Sequence, residues 1–236
     1  MLDIIAAVFA TALYATVVGV LIGLSPLRVA TRLAVFAAAA AWLGIIVAGA
    51  ALGALAPGVL GPVPVSLLPF GGLLGLLFVS WFFAPQFRSA LLSVPLPALV
   101  AVHAGRLGGI FFMLLYADGR LSAPFAPAAG VGDMVTGALA IPLAAMLALR
   151  FDIGRAWLGI WNAFGALDLV VAVSLGVLSA PGIPFRLFTQ GPGTQAMTTV
   201  PWVFVPAMLV PIFFLIHFAI ATKLRTVAQA GHLAVA

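Results

Sequence analysis

Seven stretches of this chain are apolar over lengths that match a lipid bilayer: residues 4–24, 33–56, 67–84, 96–117, 129–150, 156–178 and 200–222. The first three contain no charged residue. A helix rises about 1.5 Å per residue, so a hydrocarbon core of roughly 30 Å takes about 20 residues. Within lipid, a single segment can satisfy its own backbone hydrogen bonds only as a helix. The expected fold is therefore all-α, a polytopic transmembrane bundle of about seven helices forming one integral membrane domain over residues 1–236.

Composition supports lipid as the main solvent. Hydrophobic residues make up 65% of the chain and charged residues 6%, against roughly 25% charged in a soluble domain. The net charge of +5 could suggest a nucleic-acid partner, but the ten Lys and Arg are spread along the chain, all but Arg106 at span ends or in loops, with no basic run among exposed aromatics. Nucleic acid is therefore excluded, and the expected partners are the bilayer itself with other membrane subunits or further copies of the chain. Cysteine is absent, which excludes disulfides, thiolate metal sites and cysteine catalysis. Glutamate is absent too, leaving Asp3, Asp118, Asp133, Asp152 and Asp168. The start, Met1-Leu2-Asp3-Ile4, lacks a positive n-region, so the first run reads as a retained helix.

Orientation follows from the basic residues in alternate loops. Arg28, Arg32, Arg88, Arg150, Arg155, Lys223 and Arg225 fall on one side, and only Arg120 and Arg186 on the other. This bias predicts an outside N-terminus and a cytoplasmic C-terminus. The Ala-, Leu- and Gly-heavy composition, with nine Arg to one Lys, points to a bacterial inner membrane. The five Trp lie at or near span ends, partly as an aromatic belt requires. Residues 87–95 read as a short interfacial helix, and the uncharged Pro57–Pro69 stretch as a surface or partly re-entrant loop. Gly19/Gly23, Gly49/Gly53, Gly71/Gly75 and Gly105/Gly109 fit G-x-x-x-G, read here as close packing within the chain. Pro142, Pro206 and Pro211 lie inside spans and favour kinks.

Residues 32–58 and 155–182 share a pattern of basic linker, apolar helix and a Pro-Gly end. A parallel 3+1+3 arrangement follows if the fourth helix is the connector. That layout and size resemble sugar-transporter folds of the SWEET type, although of their motifs only Pro85-Gln86 is matched. Residues 106–133 and 161–168 look like a bacterial membrane family with no activity attached.

Ionisable groups within a span are costly and mark candidate sites. Counted from the inner ends of their helices, His103, Asn162 and His217 each lie about 9 Å deep. Arg106 stands one turn further out on the face of His103. Asp168 lies close to that level, so an Arg106–Asp168 ion pair is expected, because an unpaired buried charge is strongly unfavourable. Asp133 and Thr136 share a face of the fifth span in its outer half. The candidate binding network is therefore His103, Arg106, Asp133, Asn162, Asp168 and His217, arranged as a column of stepped depth, with no metal site.

Each residue also has a plainer reading. Arg106 and Asp168 then form a structural clasp, Asp133 an N-cap after Gly130 and Gly132, and His217 a partner for a carbonyl freed by Pro211. His232 lies in a solvated tail.

Three functions follow. The first is transport or permeation of a small solute or proton through this network, with Asp168 or His103 carrying protons. The second is a b-type haem protein with His103 and His217 as axial ligands and Arg88, Arg150 or Arg155 near the propionates. The third is an accessory or scaffold subunit. An intramembrane enzyme is a lesser alternative, and a protease is disfavoured, since no G-x-S-x-G, H-E-x-x-H or Asp-dyad pattern occurs. A retinal pigment is disfavoured because Lys223, the only lysine, sits at a helix end.

Overall fold

The computed structural model describes residues 1–59, 61 and 66–233, with 227–233 described by backbone alone. The side chain of His232 and residues 62–65 of the Pro57–Pro69 stretch lie outside what is described. The described residues form helices joined by turns and irregular connections, with no strand among them.

Six helices are long and apolar enough to cross a membrane. They are α1 (Leu2–Gly23), α2 (Val29–Ala51), the composite helix 96–117, α7 (Phe125–Ala148), α8 (Arg155–Leu178) and a final helix beginning at Val205. The composite helix consists of α5 (Leu96–Ala101), a 3₁₀ stretch Val102–Gly109 and α6 (Ile110–Ala117). The final helix opens with a π-helical turn, Val205–Leu209, and continues as α9 (Val210–Leu233). Between α2 and the composite helix lie α3 (Leu67–Phe83) and α4 (Pro85–Ser93), bent by 97° to one another. The helix expected over 87–95 is therefore present as α4.

Local chemistry accounts for the interruptions. Pro85 disfavours helical backbone at the residue before it, and Ala84 is accordingly extended. This ends α3, while Pro85 itself suits the first position of α4. In the composite helix, Gly105, Gly108 and Gly109 weaken α-helical winding over a short run, and the backbone tightens to 3₁₀ there.

α9 forms the centre of the bundle, with Leu215, Ile216, Ala219 and Ile220 buried. α2 is its opposite, since only Ile46 is buried along its length. α8 buries Leu158, Trp161, Asn162, Gly165 and Leu169. The two helices of the suggested repeat therefore occupy unlike environments, and the 3+1+3 reading gains no support from packing. The aromatic belt is also mostly absent. Trp81, Trp161 and Trp202 are buried and Trp42 donates inward, whereas Trp157 is 70% exposed.

Candidate functional site

Arg106 is the hub of the interior. Its side chain is 1% exposed, and it stands on the 3₁₀ stretch, where three residues make one turn and His103 and Arg106 align along one face. The guanidinium Nε donates to Asp133 Oδ1 on α7 at 2.6 Å. Nη2 pairs with Asp168 Oδ2 on α8. Nη1 donates to the carbonyl of Gly165 at 3.0 Å and lies 3.1 Å from Nε2 of His217 on α9. One side chain thus ties together three neighbouring helices.

The hydrogen bonds define the tautomer of His217. A guanidinium has no acceptor, so Nε2 of His217 must accept, and the ring proton sits on Nδ1. Nδ1 then donates to Asn162 Oδ1 at 2.9 Å, while Asn162 Nδ2 donates to the His217 carbonyl at 3.1 Å. Asn162 thereby holds both the ring and the backbone of His217.

His103 is fully buried and makes no hydrogen bond among the described residues. Its ring is stacked on Phe213 at 5.1 Å, meets the edge of Trp161 at 5.4 Å and lies 4.1 Å from the His217 ring. Haem ligation does not fit this pair. Metal–nitrogen bonds of about 2 Å would set the ring centres about 6 Å apart with a macrocycle between them. The rings are instead in contact, and Nε2 of His217 already faces Arg106.

All six residues singled out from sequence therefore meet in one cluster, and the expected Arg106–Asp168 pair is present. Three expectations are corrected. Asp133 is not the last step of a column, because it reaches the same guanidinium. Nor is it an N-cap, since α7 begins at Phe125, two turns earlier. The carbonyl associated with Pro211 is met by Trp42 and not by His217.

Sequence reasoning missed the glycines that let this cluster close. A Cβ on Gly132 would collide with the Asp168 carboxylate, and one on Gly165 would lie 2.6 Å from His217 Cε1. One on Gly137 would lie 2.7 Å from the backbone nitrogen of Leu107. Gly109 and Gly130 approach each other backbone to backbone. Of the G-x-x-x-G pairs, Gly105/Gly109 is closely packed, whereas Gly19/Gly23 and Gly71/Gly75 face open space. The available signal was spacing: Asn162, Gly165 and Asp168 recur every three residues along one face of α8.

Spaces adjoin the cluster on two sides. A cavity of about 70 Å³ runs from Asp133 between α7, α8 and the final helix to Ser66, Phe125, Thr194 and Met197. A second, of about 50 Å³, touches Arg106 and Asp133 beside Ala10 and Leu13 of α1. On the other side a groove of about 680 Å³ between α8 and α9 leads from Arg155 and Arg225 to Asn162 and His217.

A bundle of long apolar helices around a buried ionic cluster defines a multi-pass membrane protein. The chain belongs to the family described as "Domain of unknown function (DUF8737)", whose profile matches residues 63–225. All six cluster residues lie within the matched region, and α1 and α2 lie before it. No curated protein and no solved structure matches the chain.

Proposed function

We propose that this protein is a carrier for a small solute or proton in a bacterial inner membrane, with the Arg106 cluster as its occluded centre. One observation carries the reading. Spaces from opposite ends of the bundle stop at the same buried cluster, the outer one at Asp133 and the inner groove at Asn162 and His217. A packed clasp needs no approach from either end, whereas a carrier needs both in turn. Arg106 stands between them as a charge barrier, and movement through the centre requires it to release Asp133 or Asp168. The 3₁₀ stretch beneath Arg106 and the π-turn at Val205–Leu209 are the backbone irregularities expected of hinges.

Seven crossings with an outside N-terminus suit this reading. Asp3 at the start of α1 forms an ion pair with Arg120 in the α6–α7 connection, Oδ1 to Nη2 at 2.9 Å. The two share a side only if the chain crosses an even number of times between them. α1, α2 and the composite helix supply three crossings, and α3, about 26 Å long, supplies the fourth. At the other end Lys223 donates to the carbonyls of Leu92 and Val94. The excess of basic residues on that side favours the cytoplasm for it.

The test is flux in liposomes containing the purified protein, using a panel of small solutes and a proton-sensitive dye. Transport is expected with the wild type and its loss with Asp168→Asn. No movement of solute or proton, with Asp168→Asn behaving identically, would overturn the proposal.

A second reading, an accessory subunit docked through α2, rests on the exposure of that helix along nearly all its length. Fixed co-purification of a partner that is lost on shortening α2 would favour it. A stable monomer that transports would remove it.

A further inference from the structure

The charges in the cluster do not balance. Two carboxylates, Asp133 and Asp168, face one guanidinium. The titratable neighbours are His217, whose Nε2 accepts from Arg106, and His103, which is packed against aromatic rings with no acceptor in reach. Neither histidine supplies a compensating positive charge in this arrangement. An uncompensated charge at membrane depth is strongly unfavourable, so one further cation belongs to the site.

Space and chemistry select that cation. The cavities touching Asp133 measure about 70 Å³ and about 50 Å³, enough for a few waters at most. An ammonium ion needs acceptors for its remaining N–H groups, and the mainly apolar linings offer few beside Asp133. A metal cation needs several oxygen ligands, yet the neighbours of Asp133 in these cavities include Phe112, Ala129, Leu169 and Val205. No group of three potential metal-ligating His or acidic side chains exists among the described residues. What remains is a proton.

Geometry also selects its position. Asp168 is 8% exposed, pairs closely with Nη2 and packs its other oxygen on Gly132. Asp133 is 16% exposed, uses Oδ1 toward Nε and lines both cavities. We propose that Asp133 holds a single exchangeable proton on its cavity side, while Asp168 keeps its charge as the standing partner of Arg106. Taken with the carrier reading, on which only this last step rests, the proton is the coupling ion. It enters from the outer cavity, and its departure leaves Asp133 competing with Asp168 for Arg106.

The test is infrared spectroscopy of the full-length protein in an ester-free detergent at neutral pH. The chain has no glutamate, so aspartate carboxyl-labelled with ¹³C identifies the signal without any substitution. A carboxylic C=O band that shifts with the label and on H/D exchange is expected. It should disappear in Asp133→Asn. It should also disappear in Asp168→Asn, where Asp133 becomes the sole partner of Arg106, and it should persist in Asp3→Asn. Absence of a labelled band in the wild type overturns the proposal, as does a band that survives Asp133→Asn. Thermal stability that depends on Na⁺ or K⁺ in place of a band overturns it in favour of a metal cation. If Asp133→Asn does not fold, Asp133→Glu decides: its carboxylic band must no longer shift with labelled aspartate, and a band that still shifts overturns the assignment to Asp133. A missing band with intact solute flux removes the proton and leaves the carrier; a band without flux does the reverse.

Discussion

Trp42 donates its indole N–H to the carbonyl oxygen of Ala207 at 3.0 Å, and Ala207 is the residue whose α-helical partner would be Pro211. Proline has no N–H, so the carbonyl lacks its usual donor in a medium that offers no water. A side chain from α2 takes that role across 165 residues of sequence. It anchors an otherwise loosely packed helix to the π-turn of the central one.

Trp42→Phe keeps most of the ring volume and removes the donor. It is expected to lower stability by about 1–2 kcal/mol, the upper range for an interhelical hydrogen bond in a membrane. In a Pro211→Ala background the helix can supply its own N–H, and the same substitution should cost less than half as much. Unfolding curves of the four proteins in detergent form the double-mutant cycle that checks this. Equal losses in both backgrounds would mean that Trp42 acts through packing alone.

Arg106→Gln strands the Asp168 carboxylate and removes the donor to Asp133, and should destabilise by roughly 3–5 kcal/mol. Arg106→Lys should rescue little, because an ammonium cannot serve Asp133, Asp168, Gly165 and His217 through one planar fork. Arg106→Gln combined with Asp168→Asn should recover part of the loss by removing a stranded charge. Melting temperatures of the purified variants measure all three.

Glycines at the cluster and on outward faces should behave oppositely. Gly165→Ala and Gly132→Ala push a methyl into His217 and Asp168 and should cost at least about 1–3 kcal/mol. Gly71→Ala and Gly19→Ala meet nothing within 4 Å, and in a helix they should be neutral or stabilising by up to about 1 kcal/mol. The ranking is read from thermal unfolding of the four variants.

The absence of cysteine makes each introduced thiol unique. Asp3→Cys and Arg120→Cys should react with a membrane-impermeant maleimide added outside intact cells, and together they should cross-link. Arg88→Cys and Arg155→Cys should stay unlabelled until the membrane is opened. Labelling of Asp3→Cys and Arg120→Cys from opposite sides would remove α3 from the list of crossings.

Much of the candidate cluster was legible before any coordinates. His103, Arg106, Asn162, Asp168 and His217 announce themselves because a polar side chain in an apolar run has to face inward, and rise per residue puts them at nearby depths. Asp133 belongs to the same set, but a span counted from residue 129 leaves it close enough to the helix start to read as an N-cap. α7 in fact begins at Phe125. The haem reading failed for a related reason, since matched depth says nothing of the gap between two rings. The glycines around the cluster could not be told from those facing open space, because both kinds satisfy the same spacing rule.

The sequence by itself determined that long apolar helices fold in lipid and that their few ionisable groups must find company inside. Both conclusions follow from transfer of a single helix, whose energy depends on its own residues. Tertiary structure alone decided that Asp133 and Asp168 share Arg106, that Trp42 completes Ala207 and that Gly132 and Gly165 open the space for these contacts. Such pairings depend on how each helix is rotated about its axis, where one residue changes direction by about 100°, and on a local switch to 3₁₀ winding that brings His103 and Arg106 into line. Rotation and winding are settled by the neighbours a helix packs against, and no segment read alone contains them.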